Sequence, residues 1–208
     1  GVLKNVPPAT QVTLIEALAQ RGDVAALPAI MDVAGSADAA VRRSAFDALG
    51  TLGDASVVPV LTQAAAAAKG DERKMAVQSL IRLKGKEIAP ALLAHLARAE
   101  EAGQLVLLEV LRHRREPSAV TGLQKIAAEG KGAARENALK ALAVTADGSF
   151  LAAATTLLAQ AQSDDECRLA ADVVAACAKQ VANADERAQP VLAALSEAKG
   201  AGRVALIG

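Results

Sequence analysis

The chain has 208 residues, 23 basic and 23 acidic side chains, and a hydrophobic fraction of 52% that includes only two aromatic residues. The core must therefore be built mainly from alanine and leucine, which favours closely packed helices over sheets. The absence of net charge removes the electrostatic argument for a nucleic-acid or membrane-surface partner. No stretch of the sequence is long and apolar enough to suggest a membrane span.

Three prolines give the first sign of an internal repeat. Pro28, Pro59 and Pro90 are 31 residues apart, and each lies a few residues into an apolar segment. A period of this length is typical of stacked supersecondary units. Proline is tolerated in the first turn of a helix because its missing N–H would have no intrahelical partner there. Each proline therefore predicts the start of a first helix.

A second marker lies later in each repeat and predicts a second helix. Arg42, Arg73 and Arg135 follow the 31-residue spacing, Gln104 fills the intervening position, and Arg168 follows at a longer step. A small or aliphatic residue stands three positions after each of them, and usually another stands seven positions after, which is the spacing of one helix face. Each repeat therefore contains two helices.

Glycines mark the predicted ends of second helices. Gly53, Gly85 and Gly148 follow the last apolar residue of three such helices. Glycine commonly ends a helix in the left-handed conformation, so we expect left-handed C-terminal caps at these positions.

Residues 38–54 closely resemble the second helix of a HEAT repeat, and residues 71–85 and 163–174 are looser copies. The short repeat is similar to the compact HEAT-like type also found in phycobilisome bilin lyases. The resemblance implies an all-α fold, an α-α superhelix (armadillo/HEAT-type solenoid) of about six helical hairpins, with the terminal ones incomplete and second helices on the inner side. A single solenoid over residues 1–208 would have repeats at 1–23 (partial), 24–54, 55–86, 87–116, 117–148, 149–185 and 186–208 (partial).

The arginine positions are the most regular polar feature of the sequence. In HEAT proteins such residues typically bond to loop acids or carbonyl groups of the adjoining repeat. Asp38, Asp71 and Asp164 lie just before arginines and are candidate partners. The alternative, a row of free guanidinium groups that bind phosphates, lacks accompanying aromatic residues. The resemblance thus implies a structural ladder of Arg42, Arg73, Arg135 and Arg168.

The inner face of the second helices is the predicted partner-binding surface. Its positions lie one and five residues after each ladder position, and they form a mixed, mainly acidic strip that could meet basic groups of a partner, or could simply be solvated. The predicted partner-binding residues are Glu16, Arg43, Asp47, Lys74, Gln78, Glu109, Glu136 and Lys140.

Basic residues also cluster where two second helices end, and they predict an anion-binding edge. Cations at a helix C-terminus complement the helix dipole, which is a sufficient alternative explanation. If the cluster is functional, it would hold an anionic loop or a phosphate. The residues of this edge are Arg82, Lys84, Lys86, Arg112, His113, Arg114 and Arg115.

The sequence gives no support for an enzyme. His95 and His113 are the only histidines, and no metal-binding or phosphate-cradling motif is present. Cys167 and Cys177 are ten residues apart in one predicted helix, too far to form a disulfide with each other. We therefore expect no catalytic residues, no metal and no cofactor.

The predicted function is a protein-interaction or scaffold module that binds a macromolecular partner on the inner face of the solenoid. The alternatives are a HEAT-like enzyme or nucleic-acid binder resembling a bilin lyase, or a structural spacer beside a catalytic domain. We expect a bacterial fragment of a larger protein, monomeric as a fragment, with a protein as its partner and no membrane association. The sequence leaves the compartment open between the cytoplasm and, after removal of a signal peptide, the periplasm or exterior.

Overall fold

A computed structural model describes residues 2–197, and within that range the chain forms twelve α-helices and no β-strand. The predicted all-α solenoid class is confirmed. Residues 198–208, which are part of the predicted last partial repeat at 186–208, lie outside the described residues. The helices are α1 (Pro8–Arg21), α2 (Leu27–Val33), α3 (Ala39–Leu52), α4 (Val58–Ala67), α5 (Gly70–Arg82), α6 (Ile88–Leu96), α7 (Glu101–Arg114), α8 (Val120–Glu129), α9 (Gly132–Thr145), α10 (Leu151–Ala159), α11 (Asp164–Ala178) and α12 (Ala184–Glu197).

First and second helices alternate along the chain. Pro28 and Pro59 lie in the first two positions of α2 and α4, and Pro90 is the third residue of α6. Short 3-10 turns lead directly into α2, α4, α8 and α10. Asp23, Asp54 and Asp147 cap three of these turns, each accepting a hydrogen bond from the backbone N–H two residues later. An aspartate therefore caps the turn before the first helix in three of the repeats.

The chain divides into two compact units, an N-terminal unit (Gly1–Val110) and a C-terminal unit (Leu111–Gly208). In the N-terminal unit, α3 packs between α1 and α5, while α2 packs on α3 and α4 packs on α5. In the C-terminal unit, α9 packs on α11, while α8 covers α9 and α10 covers α11. Consecutive second helices therefore stack directly on one another within each unit.

The core follows the register that the arginines define. The residues three positions after Arg42, Arg73 and Arg135 are alanines with no exposed surface. Those seven positions after them are leucines, which are equally buried. Small and large apolar side chains thus share one face of each second helix, as close helix packing requires.

The predicted left-handed glycine caps are wrong at Gly53 and Gly148, and at Gly85 the backbone φ is positive but the C-cap of α5 is Leu83. Gly53 ends α3 with φ −69°, and Gly148 begins a 3-10 turn, whereas Gly85 does have a positive φ of 123°. Gly53 is needed for space instead, because a Cβ atom there would lie 2.7 Å from Cγ2 of Val57. The glycine marks a close approach of the next turn.

Two second helices approach each other closely at Gly50 of α3. A Cβ atom added to Gly50 would lie 2.7 Å from both Cα and Cβ of Ser79 in α5. One of these atoms belongs to the backbone, so a rotamer change cannot relieve the clash. Glycine therefore sets the distance between α3 and α5.

We predict that Gly50→Ala lowers the free energy of unfolding by about 1–3 kcal/mol, the usual range for overpacking. This loss occurs although alanine is the better helix former. Gly35→Ala is the matched control, since a Cβ atom there meets nothing within 4 Å. Urea unfolding of both variants measures the effect, and equal stabilities of the two variants would show that α3 and α5 have room to move apart.

Candidate functional site

Arg42 joins two successive repeats of the N-terminal unit. Its guanidinium donates to both carboxylate oxygens of Glu72 in α5, with Nη2 3.0 Å from Oε2. Nη1 also donates to the carbonyl oxygens of Ser36 (2.7 Å) and Ala37 (2.9 Å) in the turn before α3. One side chain therefore ties its own repeat's turn to the next second helix.

The hydrogen bond from Arg42 holds the pKa of Glu72 below its ordinary value, against the opposing effect of burial. A carboxyl whose pKa is lowered by folding stabilises the folded state above its unfolded-state pKa, which is about 4.3 for glutamate. That contribution is lost as the pH falls through the lower folded-state pKa. The Arg42–Glu72 pair is thus ionised and stabilising at neutral pH.

Arg135 makes the equivalent connection in the C-terminal unit, where it is only 5% exposed. Its Nε lies 3.2 Å from Oε2 of Glu166 in α11. Nη1 donates to the carbonyl of Ala128 (3.3 Å) and Nη2 to that of Gln160 (3.4 Å). The arrangement repeats the one at Arg42, with a glutamate in the first turn of the next second helix as the charged partner.

Arg73 finds its partner further along the next helix. Gly103 occupies the position in α7 that Glu72 occupies in α5, so no carboxylate stands at that position. Arg73 instead binds Glu109, with Nη2 2.5 Å from Oε2. Glu109 was expected to bind a partner, but its carboxylate is 28% exposed and already engaged by this arginine.

Two expectations about the ladder are wrong. Among the residues that the structure describes, Arg168 does not connect repeats: its side chain is 65% exposed and pairs with Asp165 of its own helix at 3.4 Å. The aspartates before the arginines are not their partners either, since Asp38 caps α3 and Asp71 pairs with Lys74. Local backbone N–H groups and side chains compete successfully for these short acids, whereas the longer glutamates reach across to the next repeat.

The predicted inner-face residues of the N-terminal unit are exposed on three stacked second helices. Glu16 lies on α1, Arg43 and Asp47 lie on α3, and Lys74 and Gln78 lie on α5, all with exposed side chains. We call these five residues the N-terminal face. Because α1, α3 and α5 pack side by side, the face extends over three helices.

The N-terminal face carries charges of both signs and is not mainly acidic, and some of these charges form ion pairs. Arg82 donates to Asp47, with Nη2 2.7 Å from Oδ1, and so belongs beside this face rather than to a free anion-binding edge. Lys74 pairs with Asp71 at 3.2 Å. In the C-terminal unit, Glu136 and Lys140 are half-buried and pair with each other at 3.6 Å within α9.

The remaining residues of the predicted anion-binding edge differ in accessibility. Lys84 and Lys86 are exposed in the turn after α5 of the N-terminal unit, while His113 and Arg115 are exposed at the end of α7. Arg112 is half-buried. Arg114 is not available, because its side chain is 11% exposed and its Nε and Nη2 both donate to Glu116.

Neither cysteines nor histidines form a reactive site in the described part of the chain. Cys167 and Cys177 are free and buried, and burial raises the pKa of both thiols. Burial also lowers the pKa of His95, which favours its neutral form. Among residues 2–197 no group of three or more His, Cys, Asp or Glu could hold a metal ion. The helices described are also too short or too polar to cross a membrane.

Stacked helical hairpins joined by arginine–glutamate pairs define an all-α repeat protein. Residues 2–81 match the model of the family described as HEAT repeats. Over residues 2–81 the resemblance to HEAT repeats seen in the sequence is confirmed. HEAT repeats generally mediate protein–protein interaction or scaffolding, and proteins built from them are typically not enzymes.

The chain is similar to an engineered protein of known crystal structure, with 16% identity and a TM-score of 0.43 over 84% of this chain and 92% of that one. No curated protein matches the chain.

We predict that Arg135→Ala lowers the free energy of unfolding by about 3 kcal/mol, because it removes the cationic partner of the largely buried carboxylate of Glu166 and leaves it only the backbone N–H of Gln162. Arg168→Ala, which removes an exposed pair within one helix, should change stability by less than about 0.5 kcal/mol. Urea unfolding of the two variants measures the difference. Equal effects would show that Arg135 does not hold α9 and α11 together.

Proposed function

We propose that this chain is a protein-interaction or scaffold module that binds a protein partner through the N-terminal face. The observation that supports the proposal is that α1 packs on α3 and α3 packs on α5, while Glu16, Arg43 and Gln78 are exposed on these three helices. Neither Glu16 nor Arg43 makes an ion pair among the described residues. A row of polar groups with fixed spacing offers a partner several contacts at once.

The side chains that connect the helices are different from those on the N-terminal face, which also supports this proposal. Arg42 and Arg73, together with their glutamate partners, lie at the helix–helix joints and are only partly exposed. They hold the helices in register and leave the N-terminal face for contacts outside the chain. Asp47 and Lys74 carry their own local ion pairs, which fix their positions on the face.

Charge balance on the N-terminal face favours a protein as the partner. A nucleic-acid-binding surface gains affinity from cations that neutralise successive phosphates. Here Arg43 lies one helical turn before Asp47 and close enough to Glu72 to help lower the pKa of that carboxyl, and Arg82 is neutralised by Asp47. Mixed charges favour a protein surface with complementary charges and select against mismatched partners.

The test compares two triple variants in affinity capture from lysate of the source cells, followed by titration of the captured protein. The face variant is Glu16→Arg, Arg43→Glu and Gln78→Arg, which leaves the ion-paired residues intact. We expect it to lose at least about tenfold in affinity for the partner, because several rim or core charges of the interface are reversed.

The matched control is Gln63→Arg, Arg98→Glu and Glu100→Arg, three exposed residues on or beside α4 and α6. It contains the same three kinds of charge change, so the net charge of the two variants is equal. Full binding by the control and weakened binding by the face variant supports the proposal. Equal binding by both variants, or no partner for the unmodified chain, contradicts it and favours a different surface or a structural spacer.

A further inference from the structure

The turn that ends α7 contains a strained arginine. Within residues 2–197, Arg115 is the only residue other than glycine with a positive φ, at 51°. Its backbone N–H donates to the carbonyl of Leu111 at 3.0 Å, which is the bond of a left-handed helix cap. For a residue with a Cβ atom this conformation is unfavourable, and glycine is the usual choice.

The repeat itself does not require a left-handed residue at this position. Gly22 lies three 31-residue steps before Arg115 and ends α1 with φ 68° and ψ 28°. The same register position is left-handed in α1, where it is glycine, and in α7, where it is arginine, but it is extended after α3 at Gly53 and after α9 at Ala146, with φ −69° and −72°. Strain that persists where an unstrained residue is available points to a function for the side chain.

The turn is built to hold that conformation. Arg114 and Glu116, on either side of Arg115, are joined by an ion pair in which Nη2 lies 2.8 Å from Oε1. Pro117 follows and restricts Glu116 to an extended conformation, with φ −81° and ψ 110°. Arg114 is therefore a positioning residue, and the side chain of Arg115 is exposed between two fixed neighbours.

The cations around this turn are not neutralised by nearby acids. Arg112 and Arg115 make no ion pair in the described part of the chain, and His113 between them is exposed. The acids nearest in sequence are already occupied, Glu109 by Arg73 and Glu116 by Arg114. The turn therefore carries about two uncompensated positive charges.

We propose that the end of α7 is an anion-binding site in which Arg112, His113 and Arg115 hold a phosphate group. A phosphate ester carries about −1.5 to −2 charges at neutral pH, which matches two guanidinium groups better than a single carboxylate does. Guanidinium and imidazole N–H groups are suitable donors to its oxygens. The helix dipole alone accounts for cations at Arg112 and His113, but it gives no reason for arginine at a left-handed position.

Histidine NMR provides a direct test, because the chain has only two histidines, His95 and His113. Inorganic phosphate is titrated at constant ionic strength and near-neutral pH. We expect a saturable shift of the His113 signal while the signal of half-buried His95 stays unchanged. A second titration uses a short phosphoserine peptide. Tighter binding of the peptide would identify a phosphorylated segment as the source of the phosphate, and equal binding would identify the free anion; both support the site.

Arg115→Gly separates binding from structure. It removes a ligand and relieves the strain, so we expect phosphate affinity to fall at least about tenfold while the melting temperature rises by about 2–4 °C. Arg168→Gln, which removes an exposed cation elsewhere in the same unit, is the charge control and should leave the His113 titration unchanged. An unmoved His113 signal in the unmodified chain, unchanged affinity in Arg115→Gly, or a lower melting temperature of that variant would each overturn the proposal.

Discussion

A helical hairpin of about 31 residues cannot bury its own apolar face, and this constraint governs the rest of the structure. Each second helix must be covered by the next one, so α3 lies between α1 and α5, and α9 packs on α11. Alanine, glycine and serine at these contacts permit the close approach seen between Gly50 and Ser79. The alanine-rich, aromatic-poor composition is a consequence of that short distance between helices.

Apolar packing alone leaves the register of stacked helices weakly defined. The partly buried polar contacts between the helices define that register. Arg42 and Arg135 each bind backbone carbonyl groups and a glutamate of the next second helix, so their positions are fixed at both ends. Side chains that point away from these joints remain exposed and available for contacts with a partner. The N-terminal face and the turn at Arg115 are both surfaces of this second kind.

Much of the fold could be predicted from the sequence, because the period, the prolines and the buried positions after each arginine all depend on local spacing. The partners of the arginines could not be predicted from the sequence. Aspartate and glutamate both occur near helix starts, and they differ only in the length of the side chain that carries the carboxylate. The Arg82–Asp47 pair was missed although its spacing equals one repeat plus one helical turn. The only feature of the sequence that hints at a left-handed residue at Arg115 is its position three repeats after Gly22. The distance between α3 and α5 depends on how the two helices pack, which cannot be predicted from either helix alone.

A double-mutant cycle of Arg42→Met and Glu72→Gln tests most directly whether arginine–glutamate pairs hold successive repeats together. The free energy of unfolding is measured with urea at neutral and at acidic pH. We predict that the effects of the two single changes on the free energy of unfolding are not additive at neutral pH, because each removes the same connection between α3 and α5. This coupling should disappear when the pH falls below the lowered pKa of Glu72. Additive effects at neutral pH would contradict the claim that arginine–glutamate pairs hold successive repeats together.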